Sequence, residues 1–153
     1  MEFSNAIIIE RSPHDVFEFV SDLENAPKWN YAIVETRKAS EGPVAVGTTY
    51  RQVRSLPSRS EETLRVTEFE PDRRFAFEGG LGPFEGTMTY GLEEIGGSTR
   101  LTNTAKLEAR GIAKLAAPIA TGRVRGAVAE NLETLKQLLE QEATSSSSAG
   151  PAS

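Results

Sequence analysis

The sequence predicts an α+β fold in which a seven-stranded, curved antiparallel sheet wraps around a long C-terminal helix. An Ile-rich strand signal, EFSNAIIIER, lies near the start of the chain. Five turn signals then divide residues 30–108 into six segments of hairpin length, rich in Thr, Val, Phe and Tyr. After residue 112 the apolar residues recur at helical spacing. A twisted antiparallel sheet curls, so its apolar concave face needs a cover, and the C-terminal helix is the large element that remains.

Two short helices are predicted between the first strand and the second. Ser12 suits an N-cap, Pro13 the first helical position, and Asp15 the first turn near the positive end of the helix dipole. Apolar residues then follow at helical spacing to about Ser21. A second short helix is predicted over residues 24–29.

Alternation along the strands predicts which side chains share the inner face of the sheet. The inward sets are Leu64 and Val66; Phe75 and Phe77; Met88, Tyr90 and Leu92; and Leu101, Asn103, Ala105 and Leu107. The strand TTYRQVRSL fits either phase, because Tyr50 and Gln52 or Arg51 and Val53 can point inward. We favour the phase with Tyr50 inward.

Two apolar sets follow the helical period after residue 112, and they lie on roughly opposite faces at about 100° per residue. The first set is Val124, Val128, Leu132, Leu135 and Leu139, and the second is Leu115, Ile119, Gly122 and Gly126. One straight helix buried on one face does not explain both, so Pro118 is predicted to kink the helix or to start a new one. Residues 143–153 have no apolar anchor and are predicted to be a disordered tail after a single domain, residues 1–142.

Composition excludes several kinds of chemistry. The chain has no cysteine and one histidine, His14, in the first turn of a short surface helix. Thiol nucleophiles and Cys- or His-based metal clusters are therefore excluded, and we expect no metal and no cofactor.

Charge and hydropathy limit the possible binding partners and the cellular location. The net charge of −5 argues against nucleic acid as a partner. We find no run of apolar residues long enough for a membrane span and no signal peptide, so a cytoplasmic location is expected. The basic stretch RGIAKLAAPIATGRVRG is interpreted as a solvated helix face, so a membrane surface is not expected as a partner.

Five pieces of the sequence carry a family resemblance, in family order: IERSPHDVFEFVSDLENAPKWN, GPVAVGTTY, VTEFEPDRRFAFEGG, GSTRLT and NLETLKQLLE. On these pieces the chain resembles the polyketide cyclase/dehydrase and lipid-transport family of the START-like, Bet v 1-like (SRPBCC) superfamily. The resemblance covers roughly residues 3–142 and implies the helix-grip fold, with a pocket between the sheet and the last helix. Members include ligand carriers, aromatic cyclases and stress-response proteins, so the resemblance implies a pocket without choosing its chemistry.

The implied pocket would have an apolar wall and a few polar groups. The apolar candidates are Trp29, Phe75, Phe77, Met88, Leu101, Leu115 and Ile119, and the polar ones are Tyr50, Gln52, Tyr90 and Asn103. Gly122 and Gly126 lie four residues apart on one helix face. They either leave room for a ligand or let the helix pack closely on a strand.

Trp29, the only tryptophan, lies in the polar, proline-marked stretch DLENAPKWNYAIVE. It either plugs the core and fixes the short helices, or it forms part of the mouth of the pocket. Under the first interpretation, truncation to alanine costs about 3–5 kcal/mol. Under the second, stability changes little and ligand binding weakens.

Three functions remain open. The leading hypothesis is binding or transport of a small hydrophobic ligand, such as a lipid, polyketide or aromatic metabolite, by a monomer or weak homodimer. The alternative is a polyketide cyclase or dehydratase with acid–base candidates Tyr90, Tyr50, Arg51 and Arg54. A tyrosine titrates near pH ~10, so a cation beside it would be needed to activate it. The third is a ligand-free interaction module that uses the sheet edge or the long helix.

Overall fold

The computed structural model describes the backbone of residues 1–111 and 113–148 and the side chains of residues 1–111 and 121–143. The elements follow the predicted order, with one long helix after the last strand. They are β1 (Glu2–Ile9), α1 (Pro13–Val20), a 3₁₀ helix (Leu23–Lys28), β2 (Ile33–Lys38), β3 (Thr49–Arg54), β4 (Ser60–Glu70), β5 (Arg74–Leu81), β6 (Phe84–Ile95), β7 (Ser98–Ala109) and α2 (Ala113–Ser148).

The seven strands form one sheet in the order β1-β7-β6-β5-β4-β3-β2. All neighbouring strands are antiparallel. Strands β2 to β7 form a meander, and β1 pairs with β7 at one edge. Helix α2 packs against β1 and β7. The predicted α+β helix-grip fold is therefore confirmed.

The N-terminal capping signal acts as predicted. The Ser12 side chain accepts a hydrogen bond from the Asp15 backbone N–H at 3.2 Å, and Pro13 occupies the first position of α1. The helix buries Val16, Phe17 and Val20. The second predicted helix is present as a 3₁₀ helix, capped by the Asp22 carboxylate on the Glu24 N–H at 3.0 Å.

The phase of β3 follows from its pairing with β4. Tyr50 lies opposite Leu64, and Gln52 lies opposite Glu62. Directly opposite residues of an antiparallel pair share a face, so Tyr50 follows the buried Leu64 inward. Tyr50 and Gln52 are buried, and Arg51 is exposed, as the favoured phase predicted.

Helix α2 is continuous across Pro118, so the predicted fresh start at this residue is wrong. One face of the helix is buried through Leu132, Leu135 and Leu139. Gly122 and Gly126 are exposed, and a Cβ added at either would meet no atom within 4 Å. No helix in the described part of the chain has the length and apolar character that a membrane span requires.

Gly122 and Gly126 therefore do not face the sheet, which corrects both interpretations given for them. The physical reason is the continuity of the helix. A single rod keeps one angular phase, and these two positions fall on the side away from the buried leucines. The side chains of Leu115 and Ile119, the other two members of that set, lie outside the described residues.

The C-terminal end of α2 differs from the predicted boundary. The helix reaches Ser148, so residues 143–148, which were assigned to the disordered tail, are helical. Extending an existing helix adds one hydrogen bond per residue without a new nucleation step, and serine weakens a helix without breaking it. Residues 149–153 lie outside the described residues.

Candidate functional site

A partly open cavity of about 450 Å³ lies between the sheet, the 3₁₀ helix and α2. Small-molecule sites usually measure about 300–1,000 Å³, so the cavity has the size of a ligand pocket. Its described walls come from residues 23–32, the end of β3 and the turn after it, β5 and β6 with their connecting turn, Leu107, and one face of α2.

Aromatic side chains form the sheet wall of the cavity. Tyr90 lies near the middle of β6, and Trp29 meets it edge-to-face with ring centroids 6.3 Å apart. Phe77 stacks on Tyr90 at 6.4 Å, with 26° between the rings. Such pairs add roughly 0.5–1.5 kcal/mol beyond area burial, so this wall is a rigid, mostly apolar surface.

The α2 wall is built from small apolar residues and one amide. Val124, Ala127 and Val128 line the cavity with Asn131. Asn131 is 7% exposed, and its Oδ1 has no hydrogen-bond partner among the described residues. A buried acceptor without a partner is costly, so this atom is suited to accept a hydrogen bond from a ligand.

A buried ion pair supports the β3 side of the cavity. The Arg54 Nε donates to both carboxylate oxygens of Glu62, at 3.0 and 3.2 Å. The Glu62 side chain is 2% exposed and that of Arg54 is 13% exposed. A charge this deeply buried requires a close partner, and the Arg54 guanidinium supplies it.

Three further donors complete the environment of the Glu62 carboxylate. They are Gln52 Nε2 at 2.9 Å, Ser60 Oγ at 3.2 Å and the Gly82 backbone N–H. The Thr36 hydroxyl donates to Gln52 Oε1 at 3.2 Å, which fixes the direction of that amide. Glu62 is thus fully engaged within the protein, and it holds Arg54 in one position at the cavity wall.

Burial keeps the two inward tyrosines protonated. Burial raises the pKa of Tyr90 well above its usual range. Burial also raises the pKa of Tyr50 to about 12, and the Asp22 carboxylate acts in the same direction. The Tyr90 hydroxyl has no hydrogen-bond partner among the described residues, so it is a free donor at the cavity wall.

The structure divides the predicted site residues into three groups. Trp29, Gln52, Phe77, Met88 and Tyr90 line the cavity, as does Arg54 from the acid–base candidates. The predicted residues that do not line it are Tyr50, Phe75, Leu101 and Asn103, which are fully buried, and the exposed Arg51, Gly122 and Gly126. The side chains of Leu115 and Ile119 lie outside the described ones.

The four fully buried residues lie outside the cavity because the inner face of the sheet extends beyond it. Tyr50, Phe75 and Leu101 belong to the same core cluster as the α2 leucines. That part of the interior is filled with side chains. This corrects the expectation that every inward residue of these strands faces the pocket.

Glu62, Asn131 and Arg123 are among the site residues that the sequence patterns did not identify. Glu62 is in phase with the inward Leu64 and Val66, which is the signal that marks it as buried. Asn131 follows Val128 by three residues on the buried helix face. Arg123 lines the cavity one turn before Ala127, and nothing in its local pattern distinguishes it from a solvated arginine.

His14 and the acidic groups form no metal centre among the side chains that the structure describes, because no three potential ligands lie together. The His14 imidazole is 63% exposed, and its Nδ1 lies 3.1 Å from Asp72 Oδ1. It is not among the residues that line the cavity.

We expect an NMR titration of His14 to give a pKa above its ordinary value of 6.5, because Asp72 binds and stabilises the imidazolium. A raised pKa in the folded state means that the contribution to stability is complete below the unfolded pKa and is lost as the pH rises through the folded pKa. Asp72→Asn should lower the pKa of His14 relative to that in the unmodified protein. If the pKa of His14 is unchanged in this variant, Asp72 is not the cause of the raised value.

Comparison with known proteins gives one family match. A model described as "Polyketide cyclase / dehydrase and lipid transport" matches residues 1–140. A comparison with curated proteins finds no match.

Solved structures share the fold over nearly the whole chain. TTHA0849 from Thermus thermophilus is 19% identical with a TM-score of 0.72, over 96% of this chain and 99% of that one. Ara h 8.0201 is 13% identical with a TM-score of 0.67, over 92% and 98%. The di-domain ARO/CYC StfQ from the steffimycin biosynthetic pathway is 11% identical with a TM-score of 0.75, over 94% and 52%. At these identities the likeness is one of fold.

Proposed function

Since the chain belongs to the polyketide cyclase/dehydrase and lipid-transport family, we propose that it binds a small, largely apolar molecule in the cavity between the sheet and α2. The observation that carries the proposal is the cavity itself, about 450 Å³ with an aromatic wall facing small side chains of α2. Apolar walls with a few polar groups are typical of ligand sites. The polar groups here include the Tyr90 hydroxyl, the Asn131 amide and the Arg54 guanidinium.

The state of the tyrosines argues against either of them as the general base of a cyclase or dehydratase. General base catalysis needs a group whose pKa lies near the working pH. Burial raises the pKa of Tyr90, and no cation among the described side chains acts in the opposite direction. A phenol of this kind donates a hydrogen bond and orients a ligand without removing a proton from it. The ligand-free interaction module requires a filled interior, which the cavity argues against.

The test is saturable binding of a neutral apolar probe, N-phenylnaphthylamine, followed by its fluorescence. We expect one site per chain in the unmodified protein. Ala127→Phe places a ring in the cavity and should weaken binding by about tenfold or more, which corresponds to about 1.4 kcal/mol. The matched control is Ala129→Phe, because Ala129 lies on the exposed side of the same helix and does not line the cavity.

Thermal unfolding of both variants verifies that each remains folded. Equal binding by the two variants would place the probe outside the cavity and contradict the proposal. Absence of saturable binding in the unmodified protein, together with no small molecule carried through purification in native mass spectrometry, would contradict it as well.

A further inference from the structure

We infer that the ligand carries a carboxylate and that the Arg54 guanidinium binds it; the inference rests on the proposed function. The first observation is the sign of the charges at the cavity. The chain has 22 acidic and 17 basic residues. Among the described residues that line the cavity, however, the charged ones are Arg54 and Arg123, and no carboxylate joins them.

Arg54 retains donors for a ligand. Its Nε is occupied by Glu62, and its two terminal nitrogens have no hydrogen-bond partner among the described residues. These nitrogens form a planar fork that matches the two oxygens of a carboxylate. Glu62 is saturated by donors from Gln52, Ser60 and Gly82, so it positions Arg54 without offering an acceptor to the ligand.

The charges balance with a single anion. Glu62 compensates Arg54 inside the protein, and the exposed Arg123 adds one positive charge at the same cavity. A monoanion makes the set neutral. A cationic ligand would meet two guanidinium groups, and a neutral apolar ligand would leave the free N–H groups of Arg54 without acceptors in a desolvated site.

The rest of the ligand must be apolar. Trp29, Phe77 and Met88 face the same space, and the small residues of α2 lie across from them. The ligand class is therefore an amphipathic acid, with its carboxylate at Arg54 and its apolar body against the aromatic wall. An aliphatic acid and an aromatic acid present the same group to Arg54.

The test is calorimetry at neutral pH with ligands that share a body and differ in their head group. Decanoate should bind the unmodified protein about tenfold or more tightly than decanol, since a hydrogen bond to a charged group contributes about that much. Decyltrimethylammonium should bind most weakly. Naphthoate and naphthol repeat the comparison with an aromatic body. The acid that binds more tightly, decanoate or naphthoate, indicates whether the body of the ligand is aliphatic or aromatic.

Variants then locate the carboxylate. Arg123→Gln changes an exposed residue and should reduce the preference for decanoate over decanol. Arg54→Gln should reduce it more strongly, but it also leaves Glu62 buried without its partner. The double variant Arg54→Met/Glu62→Met removes both charges and the guanidinium donors, so in a folded protein the preference should fall to the part that Arg123 supplies. The control is Arg51→Gln on the exposed side of β3, which should keep the preference.

Two results overturn the inference and leave the proposed function intact. One is equal binding of decanoate and decanol by the unmodified protein. The other is an undiminished preference for decanoate in the double variant. If none of the ligands binds saturably, the proposed function fails, and the inference fails with it.

Discussion

Replacing Glu62 with alanine is expected to lower the free energy of unfolding by about 3–5 kcal/mol, the usual cost of breaking a buried ion pair on one side. The change leaves the Arg54 guanidinium, 13% exposed, without its anion. It also removes the acceptor of Gln52 Nε2 and of the Gly82 N–H. Urea unfolding at neutral pH measures the effect.

The adjacent glutamate provides a matched control. Glu61 is exposed on the other face of β4, so Glu61→Ala should change stability by about 0.5 kcal/mol or less. Arg54→Met/Glu62→Met should recover most of the stability that Glu62→Ala loses, because it removes both charges instead of stranding one. Equal stability of Glu61→Ala and Glu62→Ala would show that the ion pair contributes nothing to the fold.

Replacing Trp29 with alanine is expected to cost about 3–5 kcal/mol of stability and also to weaken ligand binding. The indole is 7% exposed, belongs to the core cluster and lines the cavity. The two interpretations drawn from the sequence are therefore not exclusive, since one ring has a packed edge and a cavity-facing side. Chemical unfolding and calorimetric titration measure the two effects separately.

Tyr31→Ala serves as the comparison for Trp29→Ala. Tyr31 is a neighbouring aromatic residue that also lines the cavity, but it is 58% exposed. Its truncation should leave stability within about 0.5 kcal/mol of the unmodified protein. If Trp29→Ala is as stable as Tyr31→Ala, the indole does not act as a core residue.

Most of the fold could be predicted because its signals are local. Turn residues separate the strands, alternation gives each strand its two faces, and Ser12 and Pro13 mark the start of α1. Local signals do not determine which face of β3 points inward, because its sequence pattern is compatible with either face. Only the pairing with β4, which sets Tyr50 opposite Leu64, decides between them.

The site could be predicted only in part, because alternation assigns a face and not a position along it. Phe77 and Phe75 have the same parity on β5, yet Phe77 lines the cavity and Phe75 lies in the filled core. Phe75 meets Phe69 with ring centroids 6.4 Å apart, and Phe69 meets Phe17 of α1 at 5.2 Å. These contacts are a property of tertiary packing, and no spacing within β5 encodes them.

Glu62 was missed for a related reason. Alternation places the adjacent Glu61 and Glu62 on opposite faces of β4, which excludes a two-carboxylate site. The same alternation places one of them inside, and a buried carboxylate implies a cation nearby. Arg54 meets it across the β3–β4 pair, where the residue directly opposite Glu62 is Gln52.

Helix α2 has two roles along its length. Its stretch from Arg123 to Asn131 borders the cavity, whereas Leu132, Leu135 and Leu139 anchor it in the core. Under the proposed function, ligand preference depends mainly on the earlier segment, where Val124 and Val128 also pack against the core, and structural integrity depends mainly on the later one. If the proposed function holds, evolution can exchange cavity-facing residues of the earlier segment and change the accepted ligand, while the leucines of the later segment keep the scaffold intact.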